Sequence, residues 1–196
     1  MSLAPTADAR APHGESRRKR QAATFSAAAY RMVVRRADRA TPREIGCESN
    51  QEVADLRLAT PEDLDAIVPI HAQLAFEESG VNPLETDPEG FRERYLRRIQ
   101  KQRSWVRIES GSVVFKAEIV SQTPHVAYLE GIWVNPENRS QGQGTNCMLQ
   151  LSKHLLLRSE SVCLFVNEDN SSALRFYERM GFRDRDSFDT IFLQPF

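Results

Sequence analysis

The sequence predicts a mixed-sheet α/β (α+β) domain that begins near Asp55. Apolar residues recur with helix or strand periods only from there onward, and a Ser-Gly pair separates two runs rich in β-forming residues. Strand and helix patterns then alternate toward the C-terminus. The expected order is a strand, two helices, a three-strand meander, a helix, a strand, a helix and one or two closing strands, with one central crossover.

Residues 1–51 differ from the rest of the chain in charge and in hydrophobic pattern. Ten basic and five acidic residues occur among the first 50, although the whole chain is nearly neutral, with 26 Lys and Arg against 27 Asp and Glu. The segment is rich in Ala and Arg and shows no sustained period, so we expect a disordered basic N-terminal extension. A transit peptide, an over-long translation start, and a nucleic-acid or membrane-surface contact through Arg17–Arg20 stay open as alternatives.

Composition excludes several classes of protein. The near-neutral balance is not that of a uniformly basic nucleic-acid binder, so only the basic extension offers such a contact. Three widely spaced cysteines (Cys47, Cys147 and Cys163) indicate neither a disulfide framework nor a metal site, and we expect a cytoplasmic protein. No apolar run approaches the roughly 18 to 20 residues that span a bilayer. A homodimer is compatible with the sequence.

The first elements are read from capping signals. Leu56 and Leu58 alternate with polar neighbours as a short strand. The run Thr60-Pro61-Glu62-Asp63 then supplies an N-cap, a proline at the first helical position and an acidic first turn, which predicts a helix to about Glu78. Asp87-Pro88 repeats this signal, and a buried stripe at four-residue spacing follows: Phe91, Tyr95 and Ile99.

The later elements alternate strand and helix. Ser104–Glu109 and Ser112–Val120 form a predicted hairpin around Ser110-Gly111, and His125–Val134 is a third long strand. The remaining predicted elements are, in order, a helix over Gly142–Arg158, a buried strand over Val162–Val166, a helix from the Asn170 cap to Met180, and closing strands within Phe182–Leu193.

The loop between the third long strand and the next helix carries the most informative motif. It reads Val134-Asn-Pro-Glu-Asn-Arg139-Ser140-Gln141-Gly142-Gln143-Gly144-Thr145. A glycine-bearing loop that opens a helix leaves backbone N–H groups for an anion, and Arg139 adds a charged fork, so we predict a phosphate-ester site. A Walker loop would need a lysine after Gly144, and a dinucleotide fingerprint a third small residue at Cys147. On the loop alone, an ordinary glycine-containing turn remains an alternative.

Two motifs together resemble a known family. Arg139-x-x-Gly142-x-Gly144, preceded by Val134-x-Pro136, is similar to the acyl-CoA pyrophosphate loop of the GCN5-related N-acetyltransferase (GNAT) superfamily. Asn170-x-x-Ala173-x-x-x-Tyr177-x-x-x-Gly181-Phe182 resembles that family's second motif. The resemblance covers residues 55–196 and implies a mostly antiparallel central sheet flanked by helices, with a V-shaped splay between the two central strands. It departs at Ser140, where the family often has glycine.

The resemblance implies residue roles as well. Backbone groups of Ile132, Trp133 and Val134 would pair with the pantetheine arm of acetyl-CoA, and the N–H groups of 141–145 would hold its pyrophosphate. Asn170 would cap the last helix beside the arm, and Tyr177 would point its phenol at the thioester sulfur. The implied donor-binding set is Ile132, Trp133, Val134, Arg139, Ser140, Gln141, Gly142, Gln143, Gly144, Thr145 and Asn170.

The implied reaction moves an acetyl group from acetyl-CoA directly to an amine on a small molecule, an amino acid, or a protein lysine or N-terminus. Because an alkylamine has a pKa near ~10.4, a base must accept a proton before attack. Glu130 is the first candidate, with Glu118 or a water as alternatives, and Tyr177 is the proton donor to the departing thiolate. The acidic stretch Glu77–Pro88 is compatible with a cationic acceptor, and an ordinary polar loop is the alternative. We expect no metal and no acyl-enzyme.

A second hypothesis assigns the chain a different class of function. A non-catalytic acyl-CoA-binding module would use the same loop, and its basic extension would provide the regulatory output. Substitution of Tyr177 by Phe separates the two hypotheses, because only a catalyst needs the phenol.

Overall fold

The computed structural model describes residues 25–38 and 55–195, and within them seven strands form one sheet. In chain order the strands are β1 (Phe25–Asp38), β2 (Arg57–Leu58), β3 (Ser104–Glu109), β4 (Ser112–Gln122), β5 (Val126–Val134), β6 (Ser161–Asn167) and β7 (Arg183–Pro195). They lie side by side in the order β2-β3-β4-β5-β6-β1-β7. The neighbours β5 and β6 run parallel and the other neighbouring pairs run antiparallel. The mixed, mostly antiparallel sheet is therefore confirmed.

Helices flank this sheet, as expected. They are α1 (Leu64–Ser79), α2 (Pro83–Thr86), α3 (Pro88–Gln100), α4 (Gln143–Leu156) and α5 (Ser171–Arg179). Helices α4 and α5 begin and end within two residues of the predicted bounds, and α3 begins at the predicted Pro88. The single turn α2 was not predicted, although Asn82 accepts a hydrogen bond from the Leu84 amide to begin it.

Short polar side chains cap the starts of α3 and α5 and the turn that leads into α1. Thr60 and Asp63 bond reciprocally around the 3-10 turn Pro61–Asp63, which leads directly into α1. Asp87 accepts from the Gly90 amide at 3.0 Å to begin α3, and Asn170 accepts from the Ala173 amide at 3.0 Å to begin α5. Each such cap is worth about 0.5 to 2 kcal/mol. The capping role predicted for Asn170 is thus present in the structure.

The two faces of the sheet carry separate cores. Helices α4 and α5 cover one face, where Met148, Leu151 and Leu155 pack against strand residues such as Phe115 and Leu129. Helices α1 and α3 cover the other face with Ile67, Tyr95, Ile99 and their neighbours. Fully burying one such side chain contributes about 1.5 to 3 kcal/mol, so both layers are needed to hold the sheet.

The parallel strands β5 and β6 separate partway along their length. They pair from Val126 with Ser161 to Leu129 with Leu164. Beyond that point β5 stays paired with β4 and β6 stays paired with β1, over ranges that reach Val134 and Asn167. The two strands therefore open into the V-shaped splay that the family resemblance predicted.

Strand β1 corrects the expectation for the N-terminal segment. Residues 1–51 were predicted to be a disordered extension, but β1 lies between β6 and β7 and pairs antiparallel with both. Ala37 is buried in the core, and the buried Arg35 forms an ion pair with Asp184. An interior strand gains hydrogen bonds along both edges, so Ala and Arg side chains suffice there. The rest of the segment, with Arg17–Arg20 and Cys47, lies outside the described residues.

Candidate functional site

A β-bulge in β5 marks the point where the splay opens. Between the pairs Lys116–Trp133 and Glu118–Glu130, β5 places Gly131 and Ile132 opposite the single residue Ala117 of β4. Gly131 has a φ of +57°. A Cβ there would lie 3.1 Å from Glu118 Cγ and 3.2 Å from Lys116 Nζ, so both the backbone conformation and the close approach favour glycine.

Beyond the bulge, β5 has one edge bonded to β4 and the other edge on the splay. Trp133 and Val134 pair with β4, opposite Lys116 and Phe115. Ile132 and Val134 pack toward the α4 and α5 core, whereas Trp133 packs toward α1 and α3. These are the residues predicted to pair with a pantetheine arm, and the structure places them beside the opening.

The start of α4 lies directly against the end of β5. A Cβ added to Gly144 would lie 2.6 Å from Val134 Cγ2, so the helix and strand approach too closely for a larger residue. Gly142 precedes the helix with a φ of +78°, and no side chain caps the helix within the described chain. The first amides of the helix, at 143–145, are the ones that a helix cannot satisfy internally, and they carry the positive end of its dipole.

The loop before α4 has the geometry that the motif predicted. Ser140 adopts a φ of +61°, in the left-handed region that favours glycine. Arg139 Nε donates to the Val134 carbonyl at 3.1 Å, which uses one of the five N–H donors of this exposed guanidinium. Gln141 Nε2 donates to the Glu137 carbonyl at 2.9 Å. The loop therefore folds back on itself, and the guanidinium of Arg139 lies against the end of β5, where α4 begins.

Arg107 lies behind the helix start and was missed in the sequence. This β3 residue donates from Nη1 to Gln143 Oε1 at 2.7 Å, and its guanidinium also pairs with Glu109. It therefore places a positive charge against the first residue of α4. Its position in β3, opposite Phe115 of β4, gives no sign in the sequence of a contact with a helix 36 residues later.

Tyr177 is buried on α5, on the same face of the sheet as α4. Its ring packs edge-on against Phe176 and Phe182, with centroid distances of 5.1 and 5.8 Å. The hydroxyl forms no hydrogen bond with another described residue. Burial raises the pKa of Tyr177 above its usual value near 10, so the phenol stays protonated at physiological pH.

Glu130 lies on the opposite face of the sheet and is exposed. The Tyr128 hydroxyl donates to its Oε1. Glu78, in the last turn of α1, is close enough for the two carboxylates to influence each other. Partial removal from water, followed by the charges of Glu130 and Glu77, raises the pKa of Glu78.

Glu118 faces the same way as Glu130, but it is fully buried. The Tyr95 hydroxyl donates to Glu118 Oε1, and Lys116 Nζ lies 3.2 Å from the same oxygen. Lys116 Nζ also donates to the Gly131 carbonyl at 2.9 Å. A carboxylate enclosed by these donors holds the bulge in place and is shielded from substrate, which separates the two base candidates.

His71 adds a neutral side chain to this buried cluster. Its ring packs on Phe91 and Tyr95, with centroid distances of 5.5 and 4.7 Å. Burial, followed by the positive charges of Lys116 and Arg98, lowers the pKa of His71 to about 3. Sequence reasoning did not identify Lys116 as a site residue. Its alternation with Glu118 in an otherwise apolar strand was the available signal.

The two described cysteines are poor nucleophiles. Cys147 is buried on α4 and Cys163 is half-buried in β6, and burial raises the pKa of both thiols. No group of three or more metal-ligating side chains occurs within residues 25–38 and 55–195. None of the helices in this described part is long and apolar enough to cross a membrane.

Comparisons with known proteins agree with this geometry. The sequence profile of the acetyltransferase (GNAT) family matches residues 70–182. A GNAT-family acetyltransferase from Colwellia psychrerythraea superposes with a TM-score of 0.60 at 20% identity, over 89% of this chain and 57% of that one. The PaiA N-acetyltransferase from Thermoplasma acidophilum, in complex with coenzyme A, gives 0.54 at 19% identity, over 72% and 98% of the two chains.

An acetyltransferase from Clostridium acetobutylicum, solved with acetyl-CoA, gives a TM-score of 0.50 at 17% identity, over 79% of this chain and 92% of that one. No curated protein matches the chain. The chain thus spans 57% of the length of the Colwellia protein, and at these identities the structural likeness shows the fold alone.

A mixed sheet with two splayed parallel strands, beside a helix whose first amides are uncapped, defines an α/β protein with the GNAT fold. The family profile covers more than half of the chain and includes both motifs up to Phe182. The protein belongs to the acetyltransferase (GNAT) family.

Proposed function

We propose that this protein is an N-acetyltransferase that moves the acetyl group of acetyl-CoA directly to an amine. The observation that carries the proposal is the uncapped start of α4, held against the end of β5 where β5 and β6 separate. A ligand with an anionic end and an extended arm fits this site. The uncapped start of α4 can bind the anion, and the open edge of β5 can bind the arm. Acetyl-CoA supplies an activated acyl group when bound.

The donor-binding role of the α4 start has physical support. Backbone amides at 143–145, with Gln141 and Gly142 before them, offer donors to a diphosphate, and the helix dipole adds a favourable potential. No added Cβ at Gly142 would meet an atom within 4 Å, so the backbone is approachable at this point. Arg139 adds a cation at the surface and Arg107 adds one behind the helix. The acetyl-CoA and coenzyme A bound to two structural relatives support this role.

The remaining donor-binding residues follow from the splay. The backbone of Ile132, Trp133 and Val134 borders the opening on one edge of β5. An extended pantetheine arm carries amides that can pair with such an edge, as an added strand would. Asn170 begins α5 near the end of β6, so its side chain and Thr145 complete the proposed boundary of the donor site.

Glu130 is the proposed general base. It is exposed beside the splay, whereas Glu118 is enclosed by Tyr95, Ser104 and Lys116. An ammonium acceptor gives its proton to Glu130, directly or through water, and the neutral nitrogen then forms a bond with the acetyl carbon. As the carbon–sulfur bond breaks, the nitrogen loses its second proton to solvent to give the amide, and the thiolate takes up a proton. The raised pKa values of Cys147 and Cys163 favour this direct route.

Tyr177 is proposed to donate to the departing sulfur. Burial raises its pKa, so the phenol meets the departing sulfur in its protonated form. The phenol therefore stabilises the thiolate as a hydrogen-bond donor, and solvent supplies the proton that remains on the thiol.

Lys116 is a proposed positioning residue. Its ammonium lies on the β4 side of β5 and fixes the Gly131 carbonyl in that direction. In a planar trans peptide the next N–H, that of Ile132, points the opposite way and thus toward the splay. A backbone N–H aimed there can stabilise negative charge on the acetyl oxygen, and a well-aimed donor is worth about 2.7 to 4 kcal/mol.

Thiol release with acetyl-CoA and a panel of amines tests the proposal. We expect Tyr177→Phe to lower kcat at least tenfold and to leave the affinity for coenzyme A within about twofold of wild type, because the phenol acts on the leaving group. Phe176→Leu, a change of the neighbouring ring, is the matched control and should retain kcat. Coenzyme A binding without thiol release from any amine would instead support the non-catalytic module.

A further inference from the structure

A row of three aromatic rings crosses the sheet beside Glu130. Tyr128 on β5 and Phe165 on β6 have ring centroids 4.5 Å apart. Phe165 and Phe188 on β7 have centroids 4.8 Å apart, with an edge-to-face arrangement. The row therefore continues across β1, which lies between β6 and β7.

The rings lie on one face of the sheet and are accessible. Val34 of β1 is the register partner of Phe165, and Met32 is the register partner of Phe188. Cross-strand partners share a face, so these two half-buried side chains fill the space between the rings. Phe165 is 36% exposed and Phe188 is 39% exposed. The rings and the two β1 side chains therefore form a contiguous apolar strip, and exposed apolar surface of this kind is common at ligand-binding sites.

One end of the strip is acidic. Tyr128 donates its hydroxyl to Glu130, and Glu78 approaches from the last turn of α1. Between Phe165 and Phe188, Met32 and Val34 of β1 present apolar side chains, and Asp186 of β7, the register partner of Val34, adds a carboxylate two residues before Phe188 on the same face. Glu130 and Glu78 thus place negative charge beside the splay, and the rings lead from there toward Asp186.

We propose that this strip is the acceptor subsite and that the acceptor is a primary amine with an aromatic body. This inference rests on the proposed acetyl transfer. The ammonium group binds at Glu130 and Glu78, where the Tyr128 ring adds a cation–π attraction. The aromatic body lies along Phe165 and Phe188, and it gains from burial and from edge or offset ring contacts.

The arrangement fits such an amine better than a polyamine or a lysine-rich peptide. Those acceptors have no ring to pack against Phe165 and Phe188, so their binding would leave the two exposed rings without an apolar partner. A second copy of the chain is the other occupant that an apolar strip can accept, and the experiment must separate the two.

Comparison of several amines as acceptors for the full-length protein tests the inference. Thiol release with acetyl-CoA is measured for 2-phenylethylamine, ethylamine, spermidine and a lysine peptide. We expect kcat/KM for 2-phenylethylamine to exceed that for ethylamine at least tenfold, as is typical of an apolar pocket that recognises several carbon atoms. Phe165→Ser and Phe188→Ser should each reduce this ratio at least threefold. Leu157→Ser removes an apolar side chain that is 78% exposed at the end of α4, and it should keep the ratio.

Each other result contradicts the inference. Equal or better use of ethylamine, spermidine or the lysine peptide shows that the strip does not select the acceptor. If sedimentation finds a dimer that Phe188→Ser dissociates without changing the amine ratio, the strip belongs to a second copy. Absence of transfer to every amine overturns the proposed function, and the inference about its acceptor then fails with it.

Discussion

Ser140 holds a backbone conformation that glycine adopts more readily. Its φ of +61° lies in the left-handed region, where a Cβ costs about 1 to 2 kcal/mol. Glycine also loses more backbone entropy on folding, which offsets part of the gain. We therefore expect Ser140→Gly to raise the free energy of unfolding by about 0.5 to 1 kcal/mol, as measured by urea denaturation.

The matched control is Ser172→Gly, since Ser172 is an exposed residue within α5. A helical glycine should lower the free energy of unfolding by about 0.5 kcal/mol. If both substitutions destabilise the protein equally, Ser140 carries no strain and its place in the loop needs another reason.

His71 should make stability depend on pH. Its pKa is about 3 in the folded protein and near ~6.5 in the unfolded chain, so below pH 6.5 only the unfolded state gains the proton. Stability falls as the pH falls, by about 1.4 kcal/mol per unit between these two values. From pH 7 to pH 5 we expect wild type to lose about 2 kcal/mol more than His71→Gln.

Urea denaturation of both proteins at the two pH values measures this difference. Carboxylates common to both proteins cancel in the comparison, which isolates the histidine. If the free energy of unfolding falls equally in the two proteins between pH 7 and pH 5, the His71 ring also gains a proton in the folded state.

Burial distinguishes the two carboxylates that the sequence offers as candidate bases. Glu118 and Glu130 were both predicted as candidate bases, and strand periodicity places both on one face. The sequence does not show that Tyr95 and Lys116 enclose Glu118, since these contacts depend on how α3 packs on the sheet. The prediction of Glu130 as base and of the donor-binding set stays a prediction.

At the scale of elements, the contact between the α4 start and the β5 end is the most restrictive. In Gly144→Ala the new Cβ would lie 2.6 Å from Val134 Cγ2, so the helix start must shift. Alanine favours a helix by about 1 kcal/mol, so helix propensity does not oppose the change. We expect calorimetry to show acetyl-CoA affinity reduced about tenfold.

A second substitution provides the control for this effect. Val134→Ala removes the methyl groups that collide and should restore most of the affinity of Gly144→Ala, a positive coupling in a double-mutant cycle. If the single variant binds normally, or if the double variant binds no better than the single one, the close contact does not position the amides.

The elements that the sequence predicted well are those with strong periodicity and caps. Helices α3 and α5 have a side-chain cap, α4 has a strong apolar stripe after a glycine-bearing loop, and strands β3 to β6 have apolar runs bounded by turn residues. Strand β1 was missed because its longest run of large apolar residues, Met32-Val33-Val34, is too short to show a period, and because its pairing partners β6 and β7 lie more than 100 residues away. Its position is set by tertiary pairing, which local patterns do not encode.

At the scale of the whole molecule, the proposed donor and acceptor groups occupy opposite faces of one sheet. Helices α4 and α5 bring the anion-binding amides and Tyr177 to one face, whereas Glu130, Glu78 and the aromatic strip lie on the other. The two sets meet where β5 and β6 separate. Under the proposed function, the splay is the passage through which the amine reaches the thioester. The splay itself was predicted only from the family resemblance.

The most direct test of the central claim compares ligands with and without the diphosphate. Calorimetry on the full-length protein measures the dissociation constants of acetyl-CoA and of S-acetylpantetheine, which has the same thioester arm. If the α4 amides hold the diphosphate, acetyl-CoA should bind at least 100-fold more tightly, and the difference should shrink in Gly144→Ala. Equal affinity for the two ligands, or no binding of acetyl-CoA to the folded protein, would contradict this account.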